Sequence, residues 1–300
     1  MDAMTSAWPN LSELLGSAPG APVGWVGAPL ADGSVTPGRC DLAPAELRKV
    51  LRRIGRYDVE RGKELATAIH DRGDVPLDGL TIEQATAPLR DAVAGSVAEH
   101  PLTLLVGGNN AVTRPGLLGM AEALGLSLAQ VGLITLDAHF DLRDTSAGLG
   151  NGNPVRALRE DGLPGRNIAQ VGLAPFANSA AMHRDALDGG HLVMTADEVR
   201  STGGTAAAER ALDHVGHCPA ILIDCDIDVI DRAQFPGAPG ARPGGTASLD
   251  FCAAVRRLAA DVRVRAVDLT EWDPPLDPSD LSALTAGRWL AEVLAGFEAR

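Results

Sequence analysis

Short aliphatic runs, each about long enough for one buried strand, recur along the chain and alternate with amphipathic helical stretches. The runs read LTLLV (102–106), VGLITL (131–136), NIAQVGL (167–173), HLVMT (191–195), AILIDCD (220–226) and VRAVDLT (264–270). Most read as near-continuously apolar rather than alternating. A strand with one face in water alternates apolar and polar residues, so a continuous apolar run signals a strand covered on both faces. Between the runs, residues 44–54, 81–100, 248–262 and 279–297 carry apolar side chains at helical spacing. Pro44 suits the first turn of its helix, and Thr81 with Gln84 forms a capping-box pair. The alternation predicts an α/β fold of three layers, α/β/α, around a mostly parallel central sheet.

At 300 residues the chain reads as one domain, 1–300, with residues 1–40 as an N-terminal segment packed on its surface. The Gly/Pro-rich stretches 17–38 and 236–245 read as turns rather than linkers. A net charge of −13 argues against nucleic acid and anionic membranes as partners, because both need clustered Lys and Arg. No run approaches the ~18–20 apolar residues of a membrane helix. Residues 1–15, MDAMTSAWPNLSELL, lack the basic start and long apolar stretch of a secretory leader. Cys40, Cys218, Cys225 and Cys252 are scattered and form no CxxC pair, which predicts free buried thiols and a cytoplasmic location.

Four polar motifs each follow one of the apolar runs. They are GGNN (107–110), DAHFD (137–141), DCDIDVID (224–231) and DLTEWDPP (268–275). In open parallel sheets, ligands bind beyond the carboxyl ends of the strands, so these four loops can converge on one rim. Asp137, Asp141, Asp226 and Asp228, with Asp224 and Asp231 beside them, cannot all ionise in one cleft, because like charges and burial raise each other's pKa. One or two divalent cations resolve the conflict. Carboxylates joined by one imidazole, His139, suit Mn2+. Cys225 should point to the sheet face opposite Asp224 and Asp226.

In order, these motifs make the chain similar to the ureohydrolases, the arginase, agmatinase and formimidoylglutamase family. That family carries G-G-D-H, D-A-H-x-D, S-x-D-x-D-x-x-D-P and D-x-x-E-x-N-P-P elements. The resemblance implies an arginase-like fold and two Mn2+ ions per chain. Asp137 and Asp226 would bridge them, Asp141 and Asn110 would complete the first shell, and His139 and Asp228 the second. It further implies a hydroxide held between the ions as nucleophile, Glu271 pairing with a cationic amidine or guanidine, and Asp141 accepting a hydrogen bond from the hydroxide. The chain departs from the pattern at Asn109 and Asn110, at Asp224 for the usual Ser, at Arg232 after Asp231, and at Asp273 before the prolines. An amide oxygen at Asn110 binds a cation less tightly than imidazole, which predicts a weak first metal site.

DAHFDLR, a Gly-rich turn and NP (153–154) look most like formimidoylglutamases, as does GLAPFAN (172–178). This implies hydrolysis of formimidoylglutamate to glutamate and formamide. The substrate carboxylates would want an Arg fork, Arg143 first, with Arg156 and Arg242 as alternatives. Asn151 and Asn153 are candidate donors to the substrate, although NGN is also a strong turn signal. The competing readings are a guanidine hydrolase releasing urea (agmatinase, arginase or guanidinobutyrase) and a non-catalytic member with a degraded metal site. The family resemblance implies a homotrimer or homohexamer. Of the histidines outside the motifs, His183, His191, His214 and His217 read as surface or internally satisfied, and His70 and His100 as helix-end residues complementing the dipole.

Overall fold

The structure, a computed structural model, describes residues 8–300. The leader reading therefore falls partly outside the described residues. Eleven strands are formed among them: β1 (Leu15–Gly16), β2 (Val23–Ala28), β3 (Tyr57–Asp58), β4 (Lys63–Glu64), β5 (Ile69–Asp74), β6 (Leu102–Gly107), β7 (Val131–Leu136), β8 (Ile168–Leu173), β9 (Leu192–Thr195), β10 (Ala220–Cys225) and β11 (Val264–Leu269). β3 and β4 form a separate small antiparallel pair. The others form one sheet in the order β1-β5-β2-β6-β11-β10-β7-β8-β9. Every pairing in it is parallel.

The helices are α1 (Ala43–Val50), α2 (Ile82–Glu99), α3 (Thr113–Ala123), α4 (Pro154–Asp161), α5 (Ala180–Gly189), α6 (Ala196–Thr202), α7 (Gly204–His214), α8 (Ser248–Ala259) and α9 (Leu281–Phe297). Parallel strands need a crossover to return to the same edge, and helices supply it on both faces. α2 to α5 cover one face, where Leu89, Val93, Leu117 and Leu158 pack on Leu105, Leu133 and Leu222. α1 and α6 to α9 cover the other, where Leu47, Leu212, Phe251, Trp289 and Leu290 pack on Ile134, Ile221 and Ile223. β10 shows the period of two directly: Ile221, Ile223 and Cys225 face one core, Ala220 and Leu222 the other. Cys225 thus points away from the acids, as its position predicted, and all four cysteines are free and buried.

Six predicted strands fall within a residue or two of the observed ones. The capping box at Thr81 and Gln84 is formed in both directions, and Pro44 sits in the first turn of α1. That helix stops at Val50, and residues 51–53 tighten into a 3₁₀ turn. The reading of 1–40 as a surface segment is corrected. β2 is buried along its whole length between β5 and β6, and Leu11 and Leu14 join the core. The Gly and Pro around VGWVGA mimic a turn, but Trp25 and Val26 have neighbouring strands to pack against, and that context outweighs weak strand propensity. None of the helices among the described residues is long and apolar enough to cross a membrane.

Candidate metal centre

The four polar motifs leave from four adjacent strands. β6, β11, β10 and β7 are neighbours in that order, and each carries one motif at its carboxyl end. Asp137 immediately follows β7. Its Oδ1 accepts from the His139 amide at 2.6 Å, which closes a tight turn and carries His139 back over the strand end. Asp226 makes the same turn after β10, accepting from the Asp228 amide at 3.0 Å. Asp228 Oδ1 in turn accepts from the Ala138 amide at 3.3 Å, tying the two loops together. His139 Nδ1 lies 3.0 Å from Asp228 Oδ2 and 3.5 Å from Asp137 Oδ1. The next strand end contributes Asn178, which accepts from the Phe140 amide at 2.9 Å and donates to the Ala138 carbonyl at 2.8 Å.

The electrostatics of this cluster are those of a site built for a cation. Asp137, Asp141, Asp226, Asp228 and Glu271 are all buried. Burial pushes Asp137 up to about 6 and Glu271 up to about 7, and raises Asp141 and Asp226 well above the carboxylate range. Burial would lower His139, but the Asp228 and Asp137 carboxylates outweigh it and push the imidazole up to about 12. Burial would likewise raise Asp228, and the facing imidazolium lowers it instead. His139 is thus the cation that two carboxylates recruit from within the chain. A divalent ion would replace that proton with a stronger charge. Asp137 Oδ2 is buried with no hydrogen-bond partner, and ligand atoms of Asp137, His139 and Asp228 lie within 4.8 Å of one another. An orphaned carboxylate oxygen beside an imidazole is costly unless something positive binds there. The donor set fits Mn2+.

Backbone strain marks the same rim. Asp141 has φ 52° and Glu271 φ 61°, the left-handed region that non-glycine residues enter at a cost. Phe176, in the loop after β8, has φ 62°. Gly240 lies under the cluster: a Cβ there would stand 1.9 Å from Asp228 Oδ2 and 3.1 Å from His139 Cε1.

A sequence profile of the arginase family matches residues 21–296. This chain belongs to the arginase family. It is 29% identical over 279 residues to a formimidoylglutamase of Halalkalibacterium halodurans, covering 91% of this chain and 86% of that relative. It superposes on the crystal structure of formimidoylglutamase from Bacillus subtilis with a TM-score of 0.91 at 26% identity, covering 99% of this chain and 96% of that one. Trypanosoma cruzi formiminoglutamase, solved with Mn2+, shares the fold at a TM-score of 0.89 and 24% identity, covering 97% of this chain and 99% of that one.

Within this arginase-family rim, several residues have tasks the sequence did not assign. Asn110 was expected to offer an oxygen to a metal. With no ion bound, its Nδ2 donates to Asp141 Oδ2 at 2.5 Å, while its Oδ1 accepts from Thr113 at 2.8 Å and Thr270 at 3.2 Å. In this arrangement the amide holds Asp141. Glu271 Oε1 accepts from the Asn110 amide at 2.7 Å and from Asn151 Nδ2 at 2.9 Å, while Asn151 Oδ1 takes the Val35 amide. Asn151 therefore positions Glu271. The substrate-donor reading of Asn153 is corrected: it is buried, with Nδ2 on the Asp144 and Gly148 carbonyls and Oδ1 on the Gly150 amide. Asp231 is also outside the cluster, closing its own loop by accepting from Ala233 and Gly244. Asp224 stands buried beside Asp268; burial raises both, Asp268 to about 7.

Three arginines were candidates for the substrate's carboxylates. Arg156 is paired to Asp185 at 2.6 Å, and Arg242 donates to the carbonyls of its own loop at Gly240 and Ala241. Arg143 is exposed, lies against Gly152 next to Asn151, and makes no ion pair among the described residues. The contributions of Thr113 and Gly240 were missed, and Asn178 was noticed only as part of GLAPFAN without a task, because such clamps and close approaches leave no motif-like spacing.

Proposed function

We propose that this chain hydrolyses formimidoylglutamate to glutamate and formamide. The observation that carries the reading is the shared rim. Asp137 and Asp228, with half-buried His139 between them, and the anchored Glu271 share the carboxyl rim, and Arg143, next to the Asn151 loop, makes no ion pair among the described residues. The formimidoylglutamase relatives support the same substrate. Mn2+ would be held by Asp137, His139 and Asp228, with Asp141 and Asp226 adjoining. Two such ions, when bound, supply positive charge that acidifies water near neutral pH and stabilises charge as the amidine carbon becomes tetrahedral.

The chain's own residues divide the remaining work. Glu271 Oε1 is fixed by two donors, which leaves Oε2 to pair with the amidinium. Arg143 receives the far carboxylates bidentately. Water adds to the amidine carbon, the bond to the glutamate nitrogen breaks, and that nitrogen leaves as an amine. Asp141 is the proton carrier for this exchange. Asn110 holds Oδ2, which leaves Oδ1 free to take a proton from the adding water and hand it to the leaving nitrogen.

The test is a substrate panel on Mn2+-loaded protein: formimidoylglutamate, arginine, agmatine and guanidinobutyrate, with formamide and urea both measured. Formamide and glutamate in equal amounts from the first compound is the expected result. Urea from a guanidine at higher kcat/KM, or no turnover of any, overturns the reading.

A further inference from the structure

A second group of metal-ligating side chains stands at the opposite rim of the sheet. His70 is the second residue of β5, Glu99 the last of α2, and His100 the residue that ends α2. His70 was expected at a helix end; it is on a strand, paired in register with Gly24. That rung belongs to the amino ends of the strands, away from the carboxyl-end motifs. His70 Nδ1 and His100 Nε2 are 3.2 Å apart, and Glu99 Oε2 is 3.7 Å from His100 Nε2. All three ligand atoms lie within 4.8 Å of one another.

The geometry points to a second divalent-metal site here, of the Zn2+ type, held by two imidazoles and a carboxylate. Two nitrogens bound to one tetrahedral Zn2+ at ~2.0–2.1 Å stand ~3.3 Å apart, close to the separation found. The tautomer is set as such a site requires. His100 Nδ1 lies 2.8 Å from the Ala21 carbonyl, so Nδ1 carries the proton and Nε2 presents its lone pair toward His70. The ring is locked in place: His100 is 1% exposed, and a Cβ on Gly24 would meet its Cδ2 at 2.4 Å. Arg72 Nη1 pairs with Glu99 Oε2, the oxygen that also faces His100, so a bound ion would share that oxygen with the guanidinium or take the other one. His70 is half-buried and Glu99 exposed, so the fourth position opens to water. In the ion's absence the two ring nitrogens lie at hydrogen-bond distance. Binding replaces that contact and clips β5 to the end of α2.

The test counts ions in a background from which the catalytic cluster is removed. Asp137→Asn with Asp228→Asn is dialysed against Zn2+, then against metal-free buffer, and zinc per chain is measured. One retained ion is expected, lost when His70→Ala is added and bound about 10-fold more weakly with Glu99→Gln. Co2+ loading should give the intense visible bands of a tetrahedral site, absent with His70→Ala. Glu99 is exposed, so its variant is expected to keep the fold, which a urea unfolding curve checks. No retained zinc in the Asp137→Asn and Asp228→Asn background, or zinc retained equally in the His70→Ala and Glu99→Gln proteins, overturns the proposal, whatever the substrate of the other rim.

Discussion

Replacing Gly240 with Ala should disable the metal cluster without touching a ligand. The added Cβ would stand 1.9 Å from Asp228 Oδ2, where ordinary contact begins at 3.4 Å, so something must move by about 1.5 Å. Asp228 is the nearer obstacle. Turning it aside breaks its 3.0 Å contact with His139 Nδ1 and its 3.3 Å bond from the Ala138 amide. Breaking a buried ion pair costs about 3–5 kcal/mol when one partner is left behind. Some of the strain will pass into the 236–245 loop, so a loss of about 2–4 kcal/mol of unfolding free energy is expected for the metal-free protein. Displacing a ligand's support commonly weakens metal binding about 10–100-fold, and turnover should fall with it at limiting Mn2+. Gly244→Ala is the control. Its φ is +87° with nothing within 4 Å of the added Cβ, so it should cost about 1 kcal/mol through backbone strain and leave Mn2+ affinity alone. Urea unfolding with and without Mn2+, joined to a Mn2+ titration, reads both. If Gly240→Ala binds Mn2+ as tightly as the parent chain, the placement of Asp228 and His139 over that loop is wrong.

Asn151→Ala removes one of two anchors on Glu271 Oε1, so KM for the amidine should rise about 10-fold with a smaller change in kcat, measured by initial rates. Arg143→Ala should raise KM for a dicarboxylate amidine and leave agmatine turnover, however slow, unchanged; an equal effect on both would remove Arg143 from the carboxylate end. Stripping Mn2+ with a chelator should abolish turnover and lower the melting temperature, by the equivalent of about 2.7 kcal/mol if the ion had stood at a hundredfold its Kd. Asp277 gives a pH test away from the rim. Burial would raise it, but donors from Ser279 and Ser282 dominate and hold it at about 2, below the usual 3.8. A depressed acid stabilises the fold above its unfolded pKa, and the contribution disappears as pH falls through the folded value. The stability gap between the parent chain and Asp277→Asn should therefore be about 1–2 kcal/mol at pH 5 and close between pH 4 and pH 2, as read by urea unfolding.

The layers and most of the sheet were legible from the sequence because a strand buried on both faces must be mostly apolar, and β6, β7, β10 and β11 are, with Asp224, Arg265 and Asp268 as their charged exceptions. The ligand candidates were legible because acids packed after such strands need a compensating charge. β2 was not legible: its glycines and flanking prolines obey local turn rules, and only neighbours distant in sequence make it a strand. The Asn110 amide could be named from sequence, but its direction could not. Oxygen or nitrogen faces Asp141 according to where Thr113 and Thr270 lie, and those come from other elements. The same holds for Asn151 and Asn153, separated by one glycine. One reaches Glu271 and the other closes its own loop. Chain chemistry by itself determined that acids and an imidazole would crowd the carboxyl rim of a parallel sheet. Tertiary structure alone decided which of them meet, because strand order, and not sequence order, sets β6, β11, β10 and β7 side by side.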